Sequence, residues 1–175
     1  MINILNSKYK YLYLCIINTG FVTEHICEKY LKISKKVLTN LCKKGVLKVE
    51  KEILFGTMTN IYTFTVKSIG EVRKESFNLY KSDTSQLEHD YCLLKLFAAL
   101  PDNLKENWIN ETTLKIKFGK KSITTDAIII NKNKKIGIEV FTDSYTREMK
   151  NDRVNFIKKY CDDSIILKTT LLSRR

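Results

Sequence analysis

The sequence has little proline and no long apolar run. Pro101 is the only proline among 175 residues. The longest strongly apolar stretch, residues 11–17, is much shorter than the roughly 20 residues that a membrane-spanning helix needs. Asn18 and Thr19 follow it, where a secretory signal peptide would carry a cleavage site of small residues. We therefore expect neither a membrane span nor export, and we expect a cytoplasmic protein.

Cysteine and histidine are too sparse for the common metal motifs. The five cysteines are widely spaced, no two of them form a CxxC pair, and there are two histidines. An odd number of scattered cysteines argues against a disulfide framework and favours reduced thiols in a cytosol. A zinc site made of histidine and cysteine therefore has little to build on.

Positive charge is abundant. The chain carries 31 lysines and arginines against 19 acidic residues, a formal net charge of +12. Such an excess suits a polyanionic partner, because each phosphate that is neutralised releases condensed counterions. The alternative is that the positive charge reflects base composition alone. An AT-rich genome encodes proteins rich in lysine, isoleucine and asparagine without any selection for nucleic-acid binding.

The apolar spacing at the start of the chain predicts three short helices followed by a β-hairpin. The predicted helices cover residues 7–18, 23–31 and 34–44. The predicted strands cover residues 46–53 and 61–67. Thr23 and Ser34 are suitable N-caps, Gly45 is a suitable C-terminal stop, and residues 55–60 are expected to form a loop. This order predicts a winged helix-turn-helix domain over residues 1–70.

The polar face of the third predicted helix has the chemistry of a DNA-reading surface. Its side chains are Lys35, Lys36, Thr39, Asn40, Lys43 and Lys44. Lysines suit phosphates, whereas asparagine and threonine can contact base edges in the major groove of double-stranded DNA. Thr57, Thr59 and Asn60 of the predicted loop would lie against the sugar-phosphate backbone. The alternatives are a solvated helix face and a protein-binding winged helix.

Residues 71–83 are predicted to be a linker, and residues 84–175 a second domain of order α-β-β-β-α-β. Its predicted helices cover residues 85–99 and 147–160. Its predicted strands cover residues 113–118, 122–130, 135–142 and 164–168. The helix that precedes the last strand allows a parallel crossover, so we expect a mixed sheet and an α+β protein overall.

Two acidic residues, Asp126 and Glu139, interrupt apolar strands of this domain. A hairpin centred between Lys132 and Asn133 gives paired residue numbers that sum to 265, which places Asp126 opposite Glu139. Opposed carboxylates need a cation, a hydrogen-bond network or an altered pKa. A shared Mg²⁺ or Mn²⁺ ion would supply the cation and could activate water for phosphodiester cleavage. The alternative is a structural ion pair with Lys115, Lys117 or Arg147.

This strand order, with an aspartate on the second strand and a glutamate on the third, resembles the core of PD-(D/E)xK nucleases. The resemblance implies a metal-dependent endonuclease in which Asp126 and Glu139 are catalytic and hold the metal. That family usually has a lysine two residues after the glutamate, where this chain has Phe141. We therefore expect a nuclease-like domain without cleavage activity and without a cofactor, unless Lys121 or Lys150 replaces the missing lysine.

Nearly the whole chain is similar to the plasmid replication-relaxation family. The residues that carry this similarity are 62–70, Leu87-Glu88-His89-Asp90, Asp126 and Ile138-Glu139-Val140. The chain departs from the family at Thr125, where proline is frequent, and at Phe141, where aspartate is common. The similarity implies a winged helix joined to a nuclease-like domain that accompanies plasmid replication or mobilisation.

From these observations we expect a DNA-binding protein of a plasmid or mobile element, acting in replication, maintenance or conjugative mobilisation. Double-stranded DNA is the expected partner, a relaxase or a replication initiator is a further candidate, and a homodimer is possible. One alternative is an active metal-dependent endonuclease. Another is a winged-helix transcriptional repressor whose second domain senses a ligand or a protein.

Overall fold

The computed structural model describes Ile4 and residues 6–169, so the last six residues of the predicted second domain lie outside the described residues. The described chain contains eight α-helices and two β-sheets, which is the expected α+β class. It divides into two compact units, Met1–Ala99 and Leu100–Arg175.

The first unit begins with the three predicted helices. They are α1 (Lys10–Thr19), α2 (Glu24–Leu31) and α3 (Lys35–Lys43). Thr23 caps α2 as predicted, because its hydroxyl accepts a hydrogen bond from the Ile26 amide. Ser34 has the extended backbone of an N-cap, but its side chain makes no capping hydrogen bond. Gly45 follows α3 with a φ of +68°, which suits glycine at this position.

A three-stranded antiparallel sheet completes the first half of this unit. Its strands are β1 (Val22–Thr23), β2 (Leu47–Leu54) and β3 (Thr57–Phe64), in the order β1-β3-β2. The predicted loop over residues 55–60 is wrong. Phe55 and Gly56 form a two-residue turn in which both φ angles are positive, the geometry that matches the twist of paired strands. Thr57, Thr59 and Asn60 therefore belong to β3 rather than to a loop.

Two further helices belong to the first unit, α4 (Val66–Lys74) and α5 (Leu87–Ala99), and α5 packs against α1 and α2. The segment between α4 and α5 is fixed to α5 at the buried side chain of Asp90. The Tyr80 and Ser82 hydroxyls both donate hydrogen bonds to that carboxylate. The structure thus divides after Ala99, at the end of α5. The sequence had instead predicted a linker over residues 71–83 and assigned α5 to the second domain.

The second unit is built on a four-stranded sheet of order β4-β5-β6-β7. Its strands are β4 (Trp108–Asn110), β5 (Ala127–Asn131), β6 (Lys134–Phe141) and β7 (Asp163–Lys168). Its helices are α6 (Asp102–Lys105), α7 (Glu111–Phe118) and α8 (Arg147–Tyr160). Only the β6–β7 pair is parallel among the described strands, so the predicted mixed sheet is confirmed.

The predicted strand over residues 113–118 is wrong, because these residues form α7. Asn110 caps this helix by accepting a hydrogen bond from the Thr113 amide, and Glu111 pairs with Lys115 one turn later at 2.9 Å. Leu114 points into a core with Ile128. These helical contacts override the β propensity of the threonines and isoleucine in the segment.

The strands also differ from the predicted α-β-β-β-α-β order in their bounds. The first strand of the sheet is β4, which the sequence did not predict, and the strand expected over residues 122–130 is limited to β5. The hairpin register is as predicted: Ala127 pairs with Ile138 and Asn131 pairs with Lys134, so partner numbers sum to 265.

Candidate functional site

Asp126 and Glu139 meet at the point where β5 begins. Asp126 directly precedes β5 and Glu139 lies on β6, and the two residues are 3% and 0% exposed. The Asp126 amide donates to Oε2 of Glu139 at 3.3 Å, and the Val140 amide donates to Oδ2 of Asp126 at 2.7 Å. The sheet backbone therefore holds two buried carboxylates side by side, as the register predicted.

The cation beside these carboxylates is Arg153, which projects from α8. Its Nη1 atom lies 3.6 Å from Oδ1 of Asp126, and its Nε atom lies 3.7 Å from Oε1 of Glu139. Nη1 also lies 3.4 Å from Oε1 of Glu111 and donates a hydrogen bond to the carbonyl oxygen of Thr124. Arg153 thus contacts three acidic side chains, and no feature of the sequence pattern had pointed to it.

The cations proposed from the sequence do not take this position. The Lys115 ammonium pairs with Glu111 at the edge of the site. Lys117 is exposed and lies over the Phe118 ring. Arg147, at the first position of α8, is exposed. The predicted ion pair therefore exists, but with a different basic residue.

Glu139 is the less well compensated of the two carboxylates. Burial, with the neighbouring Asp126 charge as the second cause, raises the pKa of Glu139 to about 8. Arg153 and a hydrogen bond from the Thr125 hydroxyl to Oε2, at 3.0 Å, oppose this rise in pKa. Oε1 has no hydrogen-bond partner among the described residues and faces the guanidinium.

Two aromatic side chains, Phe141 and Tyr145, border the site. Phe141 occupies the position at which PD-(D/E)xK nucleases usually have a lysine. The Phe141 ring packs against the Tyr145 ring with centroids 5.7 Å apart, and Tyr145 in turn lies 6.0 Å below the Arg153 guanidinium carbon. Lys150 lies over the Phe141 ring at 5.9 Å. Lys121 is exposed in the neighbouring cleft.

The residues of the site do not fit a divalent metal ion as they are arranged. In the part of the chain that the structure describes, no group of three or more histidine, cysteine, aspartate or glutamate side chains is placed to hold one. A Mg²⁺ or Mn²⁺ ion binds carboxylate oxygens directly and keeps positions for water. Here the Arg153 guanidinium lies among the oxygens of Asp126 and Glu139 that such an ion would need.

A cleft of about 540 Å³ in the first unit and one of about 270 Å³ in the second lie beside the predicted site residues. The first is lined by residues of α2 and of the hairpin, including Glu24, Thr59 and Asn60. The second opens next to Glu111 and Arg153 and has a lysine-rich rim. The lysines of that rim are Lys115, Lys120 and Lys121.

The six DNA-binding side chains predicted for the third helix are all exposed; five belong to α3 and the sixth, Lys44, is its C-cap. Lys36, Asn40 and Lys43 lie along one face at intervals of four and three residues. The Thr39 hydroxyl donates a hydrogen bond to the carbonyl oxygen of Lys35, so this hydroxyl contacts its own helix. The exposed face of α3 therefore carries lysines and an asparagine, and α3 contributes no acidic residue to it.

Glu24 is a residue of this region that the sequence interpretation missed. Its carboxylate accepts hydrogen bonds from the side-chain Nδ2 of Asn60 at 2.9 Å and from the Tyr62 hydroxyl at 2.7 Å, and it pairs with Lys35 at 3.1 Å. The hydrogen bond from Tyr62 is the main reason that the pKa of Glu24 is lowered. Two predicted DNA contacts, Lys35 and Asn60, are therefore engaged by an acid within the protein. Thr59 is half-buried on the same strand.

No protein-family model, curated protein or solved structure matches this chain. Among the described residues, no helix is both long and apolar enough to cross a membrane.

Proposed function

We propose that this protein binds double-stranded DNA and that residues 1–70 act as a winged helix-turn-helix. The order α1-β1-α2-α3-β2-β3 supports the proposal, with β2 and β3 as the wing. A three-residue turn over residues 32–34 joins α2 to α3, which is the turn length typical of this motif. Lys32 has a φ of +56°, so the backbone leaves the right-handed helical conformation directly after α2.

The outer face of α3 is the observation that carries the proposal. A major groove admits a helix, and this face offers lysines for phosphates and Asn40 for the paired donor and acceptor of an adenine edge. Asn40 lies between Lys36 and Lys43 on this face, so base contact and phosphate contact can form together.

The second unit, in this proposal, serves as a platform for DNA contact or dimerisation and does not cleave DNA. The support is Arg153, which compensates the acidic pair without a metal, together with Phe141 at the lysine position. The resemblance of the motif segments to the replication-relaxation family is the reason to place the protein in the cytoplasm with a plasmid or mobile element. A relaxase or a replication initiator is the protein partner that this setting suggests.

A metal-dependent endonuclease is the second candidate, and one observation favours it: Asp126, directly before β5, meets Glu139 on the adjacent strand β6, next to a parallel crossover. Incubation of the purified protein with supercoiled plasmid and Mn²⁺ distinguishes the two functions. We expect no nicked or linear product. Nicking that disappears in Asp126→Asn would replace our proposal for the second unit with the nuclease.

Binding itself is tested by a fluorescence-anisotropy titration of a labelled mixed-sequence duplex with the full chain. We expect saturable binding that weakens as salt rises from about 50 to about 200 mM, because phosphate contacts release counterions. A single strand of the same length serves as the comparison. Equal affinity for both, or no salt dependence, would contradict recognition by a helix in a major groove.

A further inference from the structure

In the acidic cluster of Glu111, Asp126 and Glu139, the Arg153 side chain occupies the position that a metal ion would take in a metal site. Three carboxylates face one guanidinium at 3.4 to 3.7 Å. The innermost, Glu139, is completely buried, and its Oε1 atom, which has no hydrogen-bond partner among the described residues, points toward Arg153. A buried carboxyl group of this kind needs either a positive charge close by or a proton of its own, and the ionised form needs the positive charge.

We infer that Arg153 is the permanent cation of this cluster and excludes divalent ions from it, and that an uncharged residue at position 153 would open a site for Mg²⁺ or Mn²⁺ on Asp126 and Glu139. Glu111 stands at the rim of the same site. The inference does not depend on DNA binding by the first unit.

The charges of the site indicate which ion would enter. Removal of the guanidinium leaves up to three acidic side chains, of which two are nearly or fully buried. Oxygen ligands of this type select hard divalent cations, and a monovalent ion would compensate less of the charge. The Arg153 guanidinium lies within 3.7 Å of an oxygen of each buried carboxylate and 6.0 Å from the Tyr145 ring, so its removal vacates space beside the carboxylates as well as removing a positive charge.

The way Arg153 is held explains why it is a stable occupant. Its Nη1 atom donates a hydrogen bond to the Thr124 carbonyl oxygen, which the ionised carboxylates could not do because they have no proton to donate. Its guanidinium carbon lies 6.0 Å from the centroid of the Tyr145 ring. A guanidinium combines several donors in one plane with a delocalised charge, whereas an ammonium is a compact point charge. Arg153→Lys is thus a matched variant that keeps a cation but loses this geometry.

The experiment compares the wild type, Arg153→Met, Arg153→Lys and the double variant Arg153→Met with Asp126→Asn. Methionine fills the space of the arginine stem without its charge. Mn²⁺ binding is measured directly by electron paramagnetic resonance of the free ion, and the melting temperature is followed with and without about 1 mM MnCl₂. We expect Arg153→Met to bind one Mn²⁺ and to gain about 5 °C or more. The wild type, Arg153→Lys and the double variant should bind none and shift by less than about 1 °C.

Several results would overturn the inference. Mn²⁺ binding to the wild type as tight as to Arg153→Met would show that the guanidinium excludes nothing. A folded Arg153→Met that binds no Mn²⁺, or one that binds it equally well without Asp126, would show that the cluster is not the site. If Arg153→Met folds only when Mn²⁺ is present during refolding, the inference holds. If it stays unfolded even then, the carboxylates do not accept the ion.

Discussion

The Nε atom of Arg153 lies 3.7 Å from Oε1 of Glu139, and this contact joins a partly exposed cation to a completely buried acid. The distance is beyond that of a direct hydrogen bond, so the interaction is electrostatic. Charge compensation without a hydrogen bond is incomplete, which agrees with the raised pKa of Glu139. The site is thus arranged around a carboxyl group whose ionisation the fold disfavours.

We expect Glu139→Gln to be tolerated and to remove a pH dependence of stability. The pKa of Glu139 is about 8 in the folded protein and near 4.5 when unfolded, so the folded state binds the proton more tightly. Wild-type stability should therefore fall as the pH rises from about 4.5 to about 8, by up to a few kcal/mol. Chemical unfolding at pH 5, 7 and 8.5 tests this, and identical pH profiles for the two proteins would refute it.

Glu24→Gln should separate the stability of the first unit from its affinity for DNA. The carboxylate connects α2 to Asn60, Tyr62 and Lys35, and hydrogen bonds to a charged group contribute about 1.5–3 kcal/mol. Loss of the charge should lower the melting temperature. It should also tighten duplex binding several-fold, because it releases Lys35 and removes a negative charge near the phosphates.

The control for this variant is Glu28→Gln, which removes one negative charge from the same helix. It should change stability little. If Glu24→Gln weakens DNA binding in proportion to its loss of stability, the carboxylate has only a structural role and the expected release of Lys35 does not occur.

Two glycines provide a matched test of the hairpin turn. Gly56 has a φ of +73°, Gly70 lies within α4, and an added Cβ would meet no atom within 4 Å at either position. Gly56→Ala should destabilise by about 1–2 kcal/mol from backbone strain alone. Gly70→Ala should be neutral or stabilise by up to about 1 kcal/mol, because alanine favours helix. Thermal unfolding measures both, and equal effects would argue against the turn geometry.

The sequence predicted those features that depend on local pattern. Thr23 marked the start of α2, the spacing of α8 gave both of its ends, and the alternation around Lys132 and Asn133 gave the register that brings Asp126 to Glu139. Each of these follows from a cap, a period or a turn within a short stretch of chain.

Features that depend on distant contacts were not predicted. The segment over residues 113–118 has β-branched residues typical of a strand, yet the Asn110 cap and the buried Leu114 make it a helix. Arg153 lies 27 positions after Asp126, and nothing in the helical pattern of α8 distinguishes it from the other basic residues there. In the sequence, Glu24 resembles any acidic residue of a first helical turn. Its role depends on contact with Asn60, which the sequence pattern did not predict.

Asn40→Ala tests whether α3 selects a sequence. An asparagine that contacts adenine through two hydrogen bonds distinguishes it from other bases by about 1–3 kcal/mol. Selection from a randomised duplex pool should therefore yield an adenine position for the wild type that the variant no longer enriches. Affinity for the unselected pool should hardly change. The same enrichment in both proteins would show that Asn40 reads no base.

The most direct test of the account is the salt dependence of duplex binding by Lys36→Ala with Lys43→Ala. A double variant of the same charge, Lys67→Ala with Lys74→Ala on α4, is the control, because both pairs are exposed. We predict that the α3 variant binds more weakly and that its slope of log affinity against log salt is smaller by up to about 2, since each lost phosphate contact removes close to one unit. The α4 variant should keep the wild-type slope. Equal losses in the two variants, or wild-type binding by the α3 variant, would contradict the assignment of α3 as the DNA-binding helix.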